Sequence, residues 1–394
     1  MNAKAQNYNP WLHRFILVTA AATFLLLGSG GMVTSHEAGM SVPDWPNTYG
    51  YNMFLFPVSK WVGGIFYEHT HRLLASGIGL LTTMLAIWLW LRDPRQWMRW
   101  LGVLAFVLVA LQGVLGGLRV TLAMDKLGIM HGALAQLFFA LTCALALFTS
   151  RWWWQKVAAG CDRRPEGNAT VIDRRYHNLR WLVLGTTFLI FLQLVLGATM
   201  RHEHAGLAIR DFPTAYGKIW PDTSAAAVAR YNADRMEVIS ENPITAFQII
   251  LQMVHRIVAL AILIAVGVCA WMARKPGAPA SLPAGRRPDA EIRRQGARAT
   301  GDGGWMVYRR LSLFWLGLIV AQIILGAATI WSNKAADVAT AHVLVGALSL
   351  VTGALWCLIA FGPTIAALGE RQVEDRRTQT AAPIGGHPAM VGNK

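Results

Sequence analysis

Eight long, predominantly apolar stretches alternate with polar connections along this chain, at roughly 12–34, 67–91, 100–119, 128–150, 177–200, 244–272, 310–331 and 338–362. A helix that crosses the hydrocarbon core of a bilayer needs about 20 such residues. The pattern therefore predicts an all-α integral membrane protein with eight transmembrane helices. The first stretch follows Lys4 and Arg14, as in a secretory signal. It is longer than the apolar region of a signal, and Gly28-Ser29-Gly30-Gly31 runs on into Met32-Val33 without a small-residue cleavage site, so it reads as a retained first helix. Composition agrees: 54% of residues are hydrophobic, 14% are charged, there are 17 Trp, and mean hydropathy is +0.38.

The charges that remain are unevenly placed. With a cytoplasmic N-terminus, 25 of the 36 Lys and Arg residues fall in inner segments, nine in outer ones, and two, Arg72 and Arg256, inside helices. The positive-inside bias puts both termini in the cytoplasm. The net charge of +15 is largely this topological signal. Nucleic acid is not an expected partner, because the basic residues border membrane spans and do not interleave with exposed aromatic residues.

In that topology every even-numbered helix runs from outside to inside, and each carries a histidine in its first turns: His71, His131, His255 and His342. An ionisable side chain at membrane depth is costly and is usually there for function. Taken singly, each is as readily a hydrogen-bonded residue between helices. Four at matching depth on matching helices point to chemistry.

The chain also repeats itself. Ala38-Gly39-Met40-Ser41-Val42-Pro43-Asp44-Trp45-Pro46-Asn47-Thr48-Tyr49-Gly50 returns 167 residues later as Ala205-Gly206-Leu207-Ala208-Ile209-Arg210-Asp211-Phe212-Pro213-Thr214-Ala215-Tyr216-Gly217. His71-Arg72 matches His255-Arg256, and His131 matches His342. A shorter echo, Gln112-Gly113-Val114-Leu115-Gly116-Gly117, recurs at Gln193–Ala198 and Gln322–Ala327. Each repeat holds four helices, so the halves are parallel about an axis normal to the membrane. The expected division is 1–160 and 161–394, with a flexible inner loop at 274–304 and a polar tail at 370–394.

Two imidazoles from facing helices are a common way to hold haem iron. The pattern thus predicts two haem sites, His71 with His131 and His255 with His342. Arg72 and Arg256, adjacent to one ligand in each pair, suit a haem propionate. Gly113, Gly116, Gly117 and Gly132 in one half, and Gly326, Ala327, Ala328 and Gly346 in the other, would let a flat macrocycle approach the backbone, or serve close helix packing. A zinc or di-iron site is less attractive, since such sites gather carboxylates or thiolates that are scarce here.

These residues resemble a known family. Glu68-His69-Thr70-His71-Arg72, with Asp44-Trp45-Pro46 and Tyr49-Gly50 before it and His131, His255-Arg256 and His342 after it, is similar to the haem A synthase family over nearly all of residues 10–362. The resemblance implies an oxidoreductase that converts the C8 methyl of haem O to the formyl of haem A, for use by terminal oxidases. It implies that His71 and His131 hold the substrate haem in the N-terminal half, and that His255 and His342 hold a haem b cofactor in the C-terminal half. The partners it implies are a haem O synthase as substrate donor, an unidentified electron-transfer partner and the terminal oxidase assembly machinery. The absence of an Arg/Ser-rich leader favours a bacterial plasma membrane over a mitochondrial one, and the charge topology puts the haem sites toward its outer side. A homo-oligomer is compatible with the resemblance.

One break in the repeat bears on the division independently. Glu68 lies three residues before His71, on the same helix face, where the second half has Gln252. A carboxylate can accept a proton or stabilise developing positive charge, whereas an amide can only hydrogen-bond. This places the catalytic group at Glu68; the alternative is an acid that anchors the helix end near its positive dipole. His69 faces elsewhere and is expected at the membrane interface; His36, His202 and His204 are the other outer histidines. The Asp-aromatic-Pro turns are expected to fold the outer loops back over each haem. Some family members carry a cysteine pair in the first outer loop, but residues 35–66 contain none, and Cys143, Cys161, Cys269 and Cys357 lie elsewhere. Two other classes compete: a quinol-linked di-haem b electron-transfer protein, which the same four histidines would serve, and a transporter of parallel repeats, which leaves the histidines without a task.

Overall fold

In the computed structural model, residues 8–124, 126–156, 171–234, 243–274 and 302–380 are described. Eight long helices dominate: α1 (Pro10–Ser35), α2 (Gly63–Arg92), α3 (Gln96–Thr121), α4 (Leu127–Thr149), α5 (Val171–His202), α6 (Ala246–Met272), α7 (Asp302–Trp331) and α8 (Ala336–Thr380). All eight contain a segment long and apolar enough to cross a membrane, each within a few residues of the stretch expected from the sequence. Part of the expected tail is different: α8 continues to Thr380, and 381–394 lie outside the described residues. Most of the 274–304 loop, and Cys161, also lie outside them.

The helix ends show why the chain turns where it does. Asn9 caps α1 by accepting from the backbone N–H groups of Trp11 and Leu12, with Pro10 at the first helical position. Thr245 and Gln248 form a reciprocal capping box at α6. Between α2 and α3 the chain reverses in three residues, and Asp93 pairs with Arg95 at 2.8 Å. Within the spans, threonine hydroxyls bond back to carbonyls one turn earlier, as Thr23 does to Thr19 and Thr187 to Val183, which satisfies polar atoms where no water is present.

Neighbour relations form two rings. α1 touches α2 and α4, and α3 touches α2 and α4; α5 touches α6 and α8, and α7 touches α6 and α8. Each ring has its own core, around Ile16, Ile78, Leu85, Leu89, Met98 and Leu145 in the first and Val183, Val266, Trp315 and Trp356 in the second. The rings meet on α1, α4, α5 and α8, where Phe139, Ala347 and Val351 pack with Phe24 and Leu27. At the histidine end of this seam Arg201 of α5 donates to the Gly31 carbonyl at 3.1 Å and to Ser35 Oγ at 2.6 Å on α1. Large apolar side chains such as Leu25, Leu80, Phe188 and Ile264 cover the periphery and are exposed, as a lipid-facing surface requires.

Candidate functional site

His71, His131, His255 and His342 all lie within about three turns of the starts of α2, α4, α6 and α8, at one end of the bundle. They fall into pairs: His71 and His131 are within electrostatic range of each other, and so are His255 and His342. In all four rings Nδ1 is buried with no hydrogen-bond partner. An unpaired buried polar atom is expensive, and four equivalent ones mark a place where the ring nitrogens are to be used.

Each ring is seated on a glycine of the helix that precedes it in the chain. A Cβ on Gly30 of α1 would lie 3.1 Å from His71 Cε1, on Gly116 of α3 3.4 Å from His131 Cε1, on Gly197 of α5 3.4 Å from His255 Cε1, and on Gly326 of α7 3.3 Å from His342 Cε1. Four residues before three of these glycines stands a glutamine. Gln112 donates to the His131 carbonyl at 3.0 Å and Gln193 to the His255 carbonyl at 2.9 Å, while Gln322 packs beside Gly346. In α1 the corresponding residue is Leu26.

The Gln-x-x-Leu-Gly echo noted in the sequence is therefore a device for seating a histidine. Its fourth copy, Leu26-Leu27-Gly28-Ser29-Gly30, keeps only the final glycine, so the motif does not show there in the sequence. Of the small residues expected beside a macrocycle, Gly116 and Gly326 seat histidines, and Gly117 makes room for the Trp45 ring of the outer loop. Gly346 receives Gln322, while Gly113 and Gly132 face open space.

Above each pair lies an outer loop of one design. Asp44 accepts from the N–H groups of Tyr49 and Gly50, both at 2.8 Å, and Asp211 accepts from Tyr216 at 2.7 Å and Gly217 at 2.9 Å. Tyr49 and Tyr216 have φ of 50° and 53°, followed by Gly50 and Gly217 at 75° and 72°, a left-handed pair that favours glycine at the second position. Burial alone would raise the Asp44 carboxyl, but the donated N–H groups of Gly50 and Tyr49, with Arg72 nearby, outweigh it and hold it below the usual carboxylate range. Burial opposes the same effect at Asp211, where Gly217, Thr214 and Tyr216 donate. Each loop is then tied to its helix. Arg72 donates to the carbonyls of Val42, Asp44 and Asn47, and Arg256 to those of Asp211 and Thr214.

Glu68 and Gln252 occupy equivalent positions in this arrangement. Glu68, 4% exposed, accepts the Val42 N–H at 2.8 Å through Oε2 and pairs with Arg72 at 2.7 Å through Oε1. Gln252, 2% exposed, accepts the Ile209 N–H at 2.7 Å and donates to the carbonyls of Gly206 and Ile209. The acid and the amide hold the same loop residue by the same bond.

His69 is not interfacial as expected. It is fully buried beneath the first loop, with Nδ1 3.2 Å from Thr48 Oγ1 and with the rings of Phe56 and Trp61 around it. The signal for this was the repeat itself, which pairs Thr48 and His69 with Ala215 and Met253, two residues that share a buried cluster in the second half. His36 stacks on Tyr67, and His202 lies against Gly128 of α4.

The fold and site define a multi-pass helical membrane protein, built from two four-helix rings, with a seated histidine pair in each. Its sequence matches the family model of the cytochrome oxidase assembly proteins over residues 51–285, more than half of the chain, and it belongs to that family, the haem A synthase family. Among similar proteins, a haem A synthase of Rhizorhabdus wittichii is 26% identical over 377 residues, covering 88% of this chain and 92% of the relative. One from Shouchella clausii is 28% identical over 220 residues, 55% of this chain and 68% of the relative. One from Shewanella oneidensis is 29% identical over 238 residues, 56% and 64% respectively.

Proposed function

We propose that this protein is a haem A synthase, an oxidoreductase that takes haem O as substrate and converts its C8 methyl to a formyl group, giving haem A. The observation that carries the reading is the set of four imidazoles, each seated on a glycine of the preceding helix and each with a buried, unpaired Nδ1. Neutral imidazole nitrogens are the donors that haem iron takes from protein, and paired helices supply them from two sides. His71 and His131 hold the iron of the substrate haem, and His255 and His342 hold a haem b, which supplies one-electron redox capacity when bound. Arg72 and Arg256 stand at the propionate edge; Arg256 Nε is a buried donor without a partner, as a carboxylate site requires.

In this reading the methyl is oxidised in two successive two-electron steps, each taking one oxygen from water and releasing two protons and two electrons, first to the alcohol and then to a hydrated aldehyde that loses water. The chain's part is to fix the macrocycle between α1–α4, to cover it with the Asp44 loop, and to present one carboxylate near it. That carboxylate is Glu68. Its bonds to Arg72 and to the Val42 N–H make it the link between the loop, the propionate arginine and the turn of α2 that carries His71, so it acts on the reacting centre and on the cover together. The positive-inside distribution puts the termini in the cytoplasm and the histidine end at the outer face of a bacterial plasma membrane. The substrate is supplied by a haem O synthase, the product passes to oxidase assembly, and a separate redox partner takes the electrons.

Extraction and chromatography of the haems from purified protein test the reading. Haem O, its hydroxylated form or haem A beside haem B is expected. Haem B alone, with rapid reduction by a quinol, would replace the reading with a di-haem electron carrier.

A further inference from the structure

At the end of the second ring remote from the histidines, a cavity of about 450 Å³ opens between α6 and α7. Gly267 and Ala270 form its floor on α6, Leu313 and Leu316 its wall on α7, and Arg274 and Arg309 its rim, with Trp271 alongside. The lining is apolar toward the membrane and carries two positive charges at the surface, with no acid among its described residues. Neither guanidinium has a hydrogen-bond partner among the described residues.

The first ring carries bulkier side chains at this place. Aligned on the histidines and glutamines of the repeat, Gly267 corresponds to Thr83, Arg274 to Trp90, Arg309 to Arg99, Arg310 to Trp100 and Leu316 to Phe106. Trp90 and Trp100 meet edge to face with centroids 5.6 Å apart, and Leu89 packs against Gly102. Arg99 is turned onto the Asp93 carbonyl at 2.7 Å. The second ring has Gly267 for Thr83 and Leu316 for Phe106, carries arginines at both indole positions, of which Arg274 lines the cavity, and leaves its counterpart of Arg99 without a side-chain hydrogen bond among the described residues.

We infer that the cleft between α6 and α7 is a binding site for an anionic phospholipid, its phosphodiester held by Arg274 and Arg309 and its acyl chains lying along Leu313, Leu316 and Gly267. A guanidinium pair suits a phosphate, basic pockets between spanning helices bind lipid headgroups, and Trp271, 61% exposed, is placed as an interfacial anchor. The inference does not depend on which haem each histidine pair holds.

Native mass spectrometry of the full chain, titrated with phosphatidylglycerol, with phosphatidylcholine and with inorganic phosphate, tests it. Retention of phosphatidylglycerol about tenfold or more above phosphatidylcholine is expected, unaffected by millimolar phosphate. Arg274→Gln with Arg309→Gln removes the preference. Gly267→Thr with Leu316→Phe, which keeps both arginines and restores the bulk of the first ring, lowers retention of the lipid. Equal retention of the two lipids, displacement by free phosphate, or an unchanged preference in the arginine variant overturns the site. Helical circular dichroism of each variant checks that the bundle is intact, and a variant that has lost it is replaced by the single Arg274→Gln.

Discussion

The two rings hold their outer loops by the same bonds and differ in what lies under them. In both, an aspartate gathers two N–H groups, an arginine takes the loop carbonyls, and a side chain three residues before the first histidine accepts a single loop N–H. Beneath the first loop the acceptor is a carboxylate, and the neighbouring pair is Thr48 with His69; beneath the second it is an amide, with Ala215 and Met253. The second loop carries an extra helix, Ala225–Ala233, which stacks Tyr231 on Tyr216 at 3.6 Å. The duplication conserved the scaffold. Polar chemistry was kept or gained in one half, while the other was packed with apolar side chains, a difference that accords with the proposed division between a ring that oxidises its haem and one that retains it.

The strongest test of this contrast is loss of a histidine. His71→Ala or His131→Ala is expected to reduce haem A formation to background while the haem b spectrum persists. His255→Ala or His342→Ala is expected to remove that spectrum instead, and identical spectra from both pairs of variants would break the assignment of the halves. Glu68→Gln comes next. Gln252 demonstrates that an amide holds the loop N–H, so the variant keeps that bond and removes the charge together with its ion pair to Arg72. Product formation is expected to fall by about 10²–10⁴-fold, the usual range for a positioned acid or base, with haem content unchanged; a normal rate would leave Glu68 as a loop anchor only.

Substitution of the seats is a smaller effect. Gly116→Leu and Gly326→Leu push the imidazoles off the helix and are expected to weaken haem retention in their own ring by about 10–100-fold, as loss of supporting contacts does at metal sites. Weaker still is Gln193→Leu, which copies Leu26 of α1. It removes one hydrogen bond to the His255 carbonyl and is expected to cost about 1 kcal/mol, read as a lowered thermal midpoint.

The last test concerns pH. Asp44 and Asp211 have depressed folded-state values, so their contribution is present above the ordinary carboxylate value of 3.8 and is lost as pH falls through the folded one. Both outer loops are expected to loosen below about pH 4 and neither between pH 5 and 8, measured by amide exchange.

Much of this was legible in the chain. Hydropathy located all eight helices because a bilayer imposes one length on every span, and the four histidines were visible because ionisable residues are rare at that depth. The loop motif was legible as a repeat, since Asp44 and Asp211 act on neighbours five and six residues away. What escaped was contact between distant segments. Nothing local distinguishes Gly30 or Gly197 from packing glycines until the facing helix supplies a ring. His69 was expected at the interface because its cover, Thr48, Phe56 and Trp61, comes from a loop whose path depends on Arg72. The bonds of Glu68 to Val42 and Arg72 were hidden likewise, so its spacing from His71 disclosed a shared face and not a shared loop.

Two consecutive residues of α1 serve both rings. Gly30 admits the ring of His71, and Gly31 lies where a Cβ would be 2.8 Å from Thr340 Cγ2, two positions before His342 on α8. One helix therefore sets the separation of the two proposed metal centres as a rigid ruler does, with its phase as critical as its length. A single residue inserted upstream in α1 would turn its outer end by about 100°. That insertion would present the wrong face to both centres at once, leaving hydropathy, topology and composition untouched.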